Sequence, residues 1–471
     1  MKLHFHGGAG CVTGVNYLLK TTRSKILIDC GLFQGEPALE QRNTERFVFD
    51  PTEVEAVIIT HSHLDHIGRL PQLVRAGFKG KIFATPPTID YTHLILDDSA
   101  KVLEEKARHA GVASFFSTSD IDRVMRLFVP VDYYKKTEIS SEISFTFHEA
   151  GHVLGSAIIE AEILNKSDDR GDGQTSKKIV FSGDLGKPPA PLLRPPDFLS
   201  DTDYLVIEST YGDRNHEEPQ EVQELIENIV EDTVARRGVL LIPSFALERT
   251  QQLLYHLNNL VEQKRVPVVP VFVDSPLAAR ATQIYEKYTR YFSEDARQEI
   301  KSGDDIFNFP GLRVTHNAAE SKAINGVPPP KIIIAGSGMS QGGRILHHEA
   351  RYLSDPNNTL FMVTYQAVGT LGRQLAEGAR TVKILDQSVT VRAKIIKTSG
   401  YSSHADQRFL MEWARNFKKP CYDSDPKNCH TLKKVFVSQG DEAPSRTLAG
   451  LIRDELGVET MVPQLDQAAE L

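Results

Sequence analysis

Six apolar, β-branched runs in this chain each stop on a side chain able to hold a metal ion. KILIDCG stops at Asp29, VEAVIITHSHLDH runs into His61, His63, Asp65 and His66, and SFTFHEAGH leads to His152. KIVFSGDLG stops at Asp184, YLVIEST at Glu208, and VRAKIIKTSGYSSHAD delivers His404. Short continuous apolar runs bounded by glycine or polar residues are buried strands. Aspartate and glycine also end strands simply as turn residues, which suffices for IDCG or SGDLG alone. Six such ends, one of them a histidine cluster, imply one sheet edge lined with ligands.

Between Glu208 and about Leu385 the pattern changes. In EEPQEVQELIENIVEDTVARRG, Val222, Leu225, Ile226 and Ile229 follow helical spacing, and Gly238 closes the segment. A strand (VLLIPS), a helix (ERTQQLLYHLNNLVEQK) and another strand (VPVVPVFVDS) follow. Alternating strand and helix imply a parallel sheet with covering helices. Because His404 comes after this stretch, the α/β block is read as an insertion in the first domain. The expected division is 1–211 and 385–471 for the first domain and 212–384 for the second, with the site between them. The polar stretch 165–178 is expected to be a hairpin tip, and the proline-rich 187–198 a connector.

At 471 residues the chain exceeds one ordinary core, and 40% hydrophobic with 25% charged residues is a globular composition. No apolar run reaches the roughly 18–20 residues of a membrane span, so no membrane partner is expected. MKLHFHGGAG lacks the apolar core and cleavage site of a signal peptide. Four cysteines, Cys11, Cys30, Cys421 and Cys429, make no disulfide framework, and a reducing cytoplasm is the expected home. The net charge of -8 counts against a nucleic-acid partner as an average over the surface. Bound metal ions or a local arginine cluster would reverse that sign within one cleft.

Zinc favours nitrogen and sulfur donors in near-tetrahedral shells, with carboxylates as the oxygen option. His61 and His63 alternate along an extended segment and can point the same way, while Asp65 and His66 come one short turn later. With His152, Asp184 and His404 the ligands number seven, enough for two ions sharing a bridging carboxylate. Such a pair lowers the pKa of water held between them and stabilises both the attacking and the leaving oxygen.

HSHLDH, preceded by IDCG and followed by GHVLGS and SGDLG, resembles the metallo-β-lactamase superfamily. VIESTYGDR, PSFALERTQQLL, DSPLA, AGSGMSQGGRILHH, GTLGRQL and SGYSSHAD, in that order, narrow the resemblance to its β-CASP ribonucleases. That family includes the endonuclease subunit of the cleavage and polyadenylation machinery and its prokaryotic relatives. The resemblance implies an α/β protein: an αββα metallo-β-lactamase sandwich with an inserted α/β β-CASP cap. It implies one zinc on His61, His63 and His152, a second on Asp65, His66 and His404, and Asp184 as the bridge. Asp29 would orient a ligand loop, its alternative being a turn residue. Glu208 would sit beside the leaving group or orient a neighbour, its alternative being a plain strand end. Asp65, Asp184, Glu208 and His404 are the expected catalytic residues. The expected activity is that of a dinuclear zinc ribonuclease hydrolysing single-stranded RNA endonucleolytically, in RNA processing or decay, as a homodimer or within an RNA-processing assembly. The rivals are a β-CASP DNA nuclease, a small-molecule hydrolase and a non-catalytic scaffold; the complete ligand set and the cap count against the last two.

Two positions depart from the family pattern. Gln374 stands where many relatives carry a histidine proposed as general acid, and it cannot shuttle a proton at neutral pH. Gln439 in SQGDE stands where relatives often read HGE, a change expected to leave zinc ligation untouched. In the cap, AGSGMSQGGR reads either as a tight strand–helix turn or as a phosphate cradle built from Ser337, Gly338 and Arg344, with Arg373 and Arg249 as further phosphate contacts. His347 and His348 are expected on a helix surface, and Met339 and Tyr365 in packing. Cys421, Cys429 and His430 match no zinc-knuckle spacing.

Overall fold

The computed structural model describes residues 1–35, 37–110, 114–165, 175–216, 219–367, 369–398, 400–418 and 431–471. Cys421, Cys429 and His430 lie outside them. The chain divides into two compact units. One comprises Met1–Pro188, Pro195–Asn215 and Ser403–Leu471, the other Pro189–Arg194 and His216–Ser402.

The first unit is built on two seven-stranded sheets. In one, the order is Gln467–Glu470, Lys2–Gly7, Asn16–Lys20, Lys25–Ile28, Ala56–Ile58, Lys81–Ala84, Phe128–Pro130. In the other it is Glu459–Met461, Lys434–Ser438, Tyr204–Glu208, Thr175–Phe181, Ala157–Asn165, Ile143–Glu149, Thr137–Glu138. Side chains alternate across a strand, so each apolar run supplies two faces. From the first sheet Leu3, Phe5, Tyr17, Ile28 and Ile58 meet Phe145, Phe147, Ile159, Phe181 and Val206 of the second in one buried core. The opposite faces are covered by helices. Leu27, Val57 and Ile82 pack with Leu70, Leu73 and Leu96, while Val180, Leu205 and Val435 pack with Leu410, Trp413, Leu448 and Ile452. The result is the four-layer αββα arrangement, with an inserted α/β unit.

The second unit carries a six-stranded parallel sheet, ordered Leu312–Val314, Val271–Asp274, Lys331–Ala335, Val239–Pro243, Thr359–Met362, Lys394–Lys397. This sheet corrects one expectation. The strand Lys394–Lys397 pairs with Thr359–Met362, so the run before His404 belongs to the second unit, which continues to Ser402 rather than stopping near 384. The ligand-bearing ends therefore do not line one sheet edge. They come from the carboxyl ends of strands in two facing sheets, with His404 on the segment that returns to the first unit.

Part of the proline-rich stretch also belongs to the second unit, where Leu193 forms a bridge with Phe292 and Ser293 N–H donates to the Leu192 carbonyl.

Candidate metal centre

The strand Ala56–Ile58 delivers His61 at its carboxyl end, and a single helical turn, Leu64–Ile67, begins directly after His63. That turn carries Asp65 and His66 and is pinned by the IDCG segment. Val15 N–H donates to the Asp65 carbonyl (2.8 Å), Cys30 N–H to the His66 carbonyl (2.8 Å) and Leu32 N–H to the Leu64 carbonyl (2.9 Å). Gly31 is required here because a Cβ on it would lie 1.6 Å from the Asp65 carbonyl oxygen. SGDLG is stitched in the same way: Gly186 N–H donates to the Ala150 carbonyl (2.7 Å) beside His152, and Ala405 N–H to the Leu185 carbonyl (2.8 Å) beside His404.

The imidazoles are oriented from behind. Asp29 accepts from Thr60 N–H (2.8 Å) and Thr60 Oγ1 (2.7 Å), and its Oδ2 lies 2.7 Å from His66 Nδ1. His152 Nδ1 lies 3.2 Å from the Ser403 carbonyl, and His61 Nδ1 lies 3.1 Å from Thr60 Oγ1. Holding Nδ1 in this way turns Nε2 inward and fixes the tautomer that can bind a metal.

Four inward atoms form a closed set. His61 Nε2 and His63 Nδ1 are 3.0 Å apart, His63 Nδ1 and His152 Nε2 3.2 Å, while Asp184 Oδ2 lies 3.5 Å from His61 Nε2 and 3.4 Å from His152 Nε2. Zinc bonds of about 2.0–2.1 Å place tetrahedral ligand atoms roughly 3.4 Å apart. The donor set and its spacing fit a divalent metal ion.

A second, looser set uses the other oxygen of the same carboxylate. Asp184 Oδ1 lies 3.3 Å from His66 Nε2, which lies 3.9 Å from Asp65 Oδ2. His404 Nδ1 is 3.8 Å from Asp184 Oδ2, on the side of the first set, and 3.2 Å from Glu208 Oε2. Glu208 Oε1 accepts from Leu185 N–H (2.6 Å). The strand-end glutamate thus ties His404 to the backbone next to Asp184. His61, His66 and His152 are fully buried, and Asp184 and Glu208 nearly so.

Burial and the neighbouring imidazoles hold His61 and His152 well below the usual histidine range, so both are neutral donors. Burial opposes charge on His66 too, but Asp184, Asp29 and Asp65 carry it well above that range. Burial likewise disfavours the Asp184 carboxylate, yet His66, His61 and His152 keep it ionised. Despite burial, Glu208 and Asp184 push His404 up to about 9.

Gln439 reaches into the cluster. It follows the strand Lys434–Ser438, and its Nε2 donates to Asp184 Oδ1 and lies 3.0 Å from His66 Nε2. The residue replacing the family histidine therefore touches two of the expected ligands. Nothing in a lone SQGDE string signals that contact; only its position after a strand parallel to Tyr204–Glu208 does.

The cap residues lie in the second unit. Arg344 is not free, because its guanidinium donates to Asp274 Oδ1 (2.7 Å) and Thr315 Oγ1 (3.0 Å). His348 is buried rather than on the surface, with Nε2 2.7 Å from Asp274 Oδ2, an oxygen that also accepts from Ser321 (2.6 Å). Ser337 Oγ accepts from Gln341 N–H (3.1 Å) and Ser337 N–H donates to the Gly342 carbonyl (3.2 Å). The Gly338 carbonyl accepts from Thr364 Oγ1 (2.7 Å). These contacts are those of a self-bonded turn. Arg373 is half-buried and pairs with Glu377 (2.6 Å), Arg249 is nearly buried, and Gln374 and Tyr365 are exposed, so Tyr365 is not a packing residue.

Family profiles match three stretches: the metallo-beta-lactamase superfamily at residues 9–156, the Beta-Casp domain at 250–375, and the Zn-dependent metallo-hydrolase RNA specificity domain at 388–463. The chain is 39% identical over 414 residues to Ribonuclease TTHA0252 of Thermus thermophilus, covering 88% of this chain and 90% of that one. It is 31% identical over 465 residues to an RNase J-like protein of Methanocaldococcus jannaschii, covering 98% and 97%. Over 470 residues it is 30% identical to the transcription termination factor FttA of Methanosarcina mazei, covering 96% and 69%. A solved Enterococcus faecalis protein of unknown function shares the fold at a TM-score of 0.58 and 11% identity, covering 100% of this chain and 99% of that one. Among the described residues no helix is long and apolar enough to cross a membrane. The buried histidine–aspartate cluster, the αββα layers and these relatives agree, and the chain belongs to the β-CASP ribonuclease family of the metallo-β-lactamase superfamily.

Proposed function

We propose that the protein is a dinuclear zinc ribonuclease that cleaves single-stranded RNA internally, in RNA processing or decay. The observation that carries this reading is the division of Asp184, with Oδ2 facing His61 and His152 and Oδ1 facing His66. A carboxylate with one oxygen toward His61 and His152 and the other toward His66 supports a bridge between two ions. His61, His63 and His152 would hold the first, and Asp65, His66 and His404 the second.

Bound zinc would supply a water of lowered pKa and positive charge for the phosphate oxygens. The residues of the chain do the rest. Asp29 and Thr60 keep His66 and His61 turned inward, Ser403 does the same for His152, and Glu208 fixes His404 against the 184–185 backbone. Burial excludes bulk water and strengthens every charge interaction in the cluster. In the second unit Ser337, Gly338, Arg344 and Arg373 are the proposed phosphate contacts. The partly exposed Arg373–Glu377 pair is the weakest tie among them and the easiest to exchange for a phosphate. The ribonuclease names of relatives and the RNA specificity domain favour RNA over DNA.

End-labelled RNA and a matched DNA, digested with zinc-loaded wild type and His404→Ala, test the proposal. Internal RNA cuts by wild type and their near-loss in the variant, with the first ion retained, are expected. A wild type preferring DNA, or a variant cutting RNA at full rate, overturns it.

A further inference from the structure

In the second unit three neighbouring strands of the parallel sheet, Lys331–Ala335, Val239–Pro243 and Thr359–Met362, end side by side. From Val239–Pro243 the chain continues to Val271–Asp274 on one side, and from Lys331–Ala335 it continues to Thr359–Met362 on the other. The two connections leave adjacent strands in opposite directions, and right-handed crossovers carry their helices to opposite faces of the sheet. In open α/β sheets the ligand crevice lies at the carboxyl ends of the strands at such a point. Just past the three ends stand Gly338, Phe245 and Tyr365, in that order.

Among the described residues four aromatic side chains are exposed: Tyr134, Phe198, Phe245 and Tyr365. Tyr134 has ring neighbours in Tyr133 and His148, and Phe198 has one in Phe409. Phe245 and Tyr365, 41% and 59% exposed, have no ring neighbour among the described residues, nor does the Tyr365 hydroxyl have a hydrogen-bond partner there. Both adjoin one glycine. A Cβ on Gly338 would lie 3.2 Å from the Phe245 ring carbons Cδ2 and Cε2 and 3.1 Å from Thr364 Oγ1, which donates to the Gly338 carbonyl (2.7 Å). Tyr365 is the next residue. Glu377, and to a smaller degree Tyr365, raise the pKa of the Arg373 guanidinium, which puts a cation near that ring. Two unpartnered rings, a turn bare of side chain and a cation together match one nucleotide unit, a flat base and its phosphate.

We propose that Phe245 and Tyr365 are a stacking platform that takes an unpaired RNA base at the Gly338 turn, with Arg373 on the adjoining phosphate. The proposal rests on the ribonuclease reading given above and deepens it. The platform selects unpaired nucleotides whatever their base, since every base has a π-face and a base inside a duplex has both faces covered.

The test titrates zinc-loaded wild type, Phe245→Ala, Tyr365→Ala, Phe245→Tyr and Tyr365→Phe with two fluorescein-labelled probes, read by anisotropy. One is a single-stranded RNA with phosphorothioate linkages, and the other is the same sugar–phosphate chain without bases. Each alanine variant should weaken RNA binding on the order of 5–150-fold, the range for losing one base–aromatic stack. Binding of the baseless chain should be unchanged, the Tyr and Phe variants should bind as wild type does, and melting temperatures should hardly move. Alanine variants that bind the RNA as wild type does, while wild type still cuts unmodified RNA, overturn the platform alone. Equal weakening of both probes also overturns it, since the rings would then only shape the turn, as does a wild type that holds the baseless chain as tightly as the RNA. A wild type that shows the base-dependent binding but cuts no RNA overturns the ribonuclease reading alone, and one that binds neither probe overturns both.

Discussion

Replacing Asp29 should damage the metal centre more than it damages the fold. Asp29 sits at φ 60° just past the strand Lys25–Ile28 and is almost fully buried. Its carboxylate takes three contacts, from Thr60 N–H, Thr60 Oγ1 and His66 Nδ1, at 2.8, 2.7 and 2.7 Å. Asparagine keeps the volume, tolerates the left-handed backbone and can still accept from Thr60. It cannot accept at both oxygens, so an amide N–H must face one of the present donors. If it faces His66, the imidazole must change tautomer or rotate, and Nε2 no longer offers its lone pair inward. Partners that orient metal-binding histidines are typically worth 10–100-fold in metal affinity, about 1.4–2.8 kcal/mol. Asp29→Ala leaves the donors buried without a partner and should also lower stability by about 2–4 kcal/mol. The assay is competition for zinc with a chromophoric chelator, beside urea unfolding of the metal-free protein. The predicted loss falls on the second ion, because His61 keeps Thr60 Oγ1 and His152 keeps the Ser403 carbonyl behind it. If Asp29→Asn lowers the urea midpoint but binds both ions as wild type does, Asp29 is only a turn residue and the reasoning is wrong.

In the second unit Asp274 is fully buried and joined by Arg344, His348, Thr315 and Ser321. Asp274→Ala strands a guanidinium and should cost about 3–5 kcal/mol, read as a lower melting temperature, and a change under 1 kcal/mol would mean the cluster is not structural. Glu160 meets His148 (2.9 Å) and Lys178 (3.0 Å), and despite burial these hold its carboxyl down to about 2. Because its folded value lies below the unfolded one, its contribution is present above pH 4.5 and is lost as pH falls toward 2. Wild type should exceed Glu160→Gln by about 1–3 kcal/mol at pH 7, with the gap closing over that acid range; a gap constant down to pH 2 contradicts the assignment. Gly31→Ala should distort the turn carrying Asp65, since its Cβ would meet a carbonyl at 1.6 Å. Zinc retention falling at least tenfold is expected, and unaltered retention would show that the turn can shift freely.

The sequence made the ligands legible because each closes an apolar run, and parallel strands bring their carboxyl ends together whatever lies between them. His61, His152 and Asp184 are far apart in the chain yet within reach of one ion. It misled where one string served two purposes. VRAKIIK looks like a strand of the first unit, but its register with Thr359–Met362 places it in the other sheet, and no composition reveals a register. His348 reads as a surface residue because a histidine on an amphipathic helix looks the same whether it meets water or a carboxylate 74 positions away. Gln439 reads in the sequence as a change that leaves zinc ligation untouched, and its contact with Asp184 emerges only once two strands are paired.

The discontinuity of the first unit bears on how the protein is made. The histidine cluster is synthesised early, but His404, Gln439 and the strand Lys434–Ser438 follow only after the whole second unit. At about 5–20 residues per second, roughly 340 residues of elongation separate His61 from His404, on the order of 20–70 s. Throughout that interval the strand Tyr204–Glu208 lacks its parallel neighbour and Glu208 lacks its histidine. A cluster arranged in this way gains His404 and Gln439 only after the second unit has been made, so the early-made histidines wait for partners that are added at least about 340 residues later.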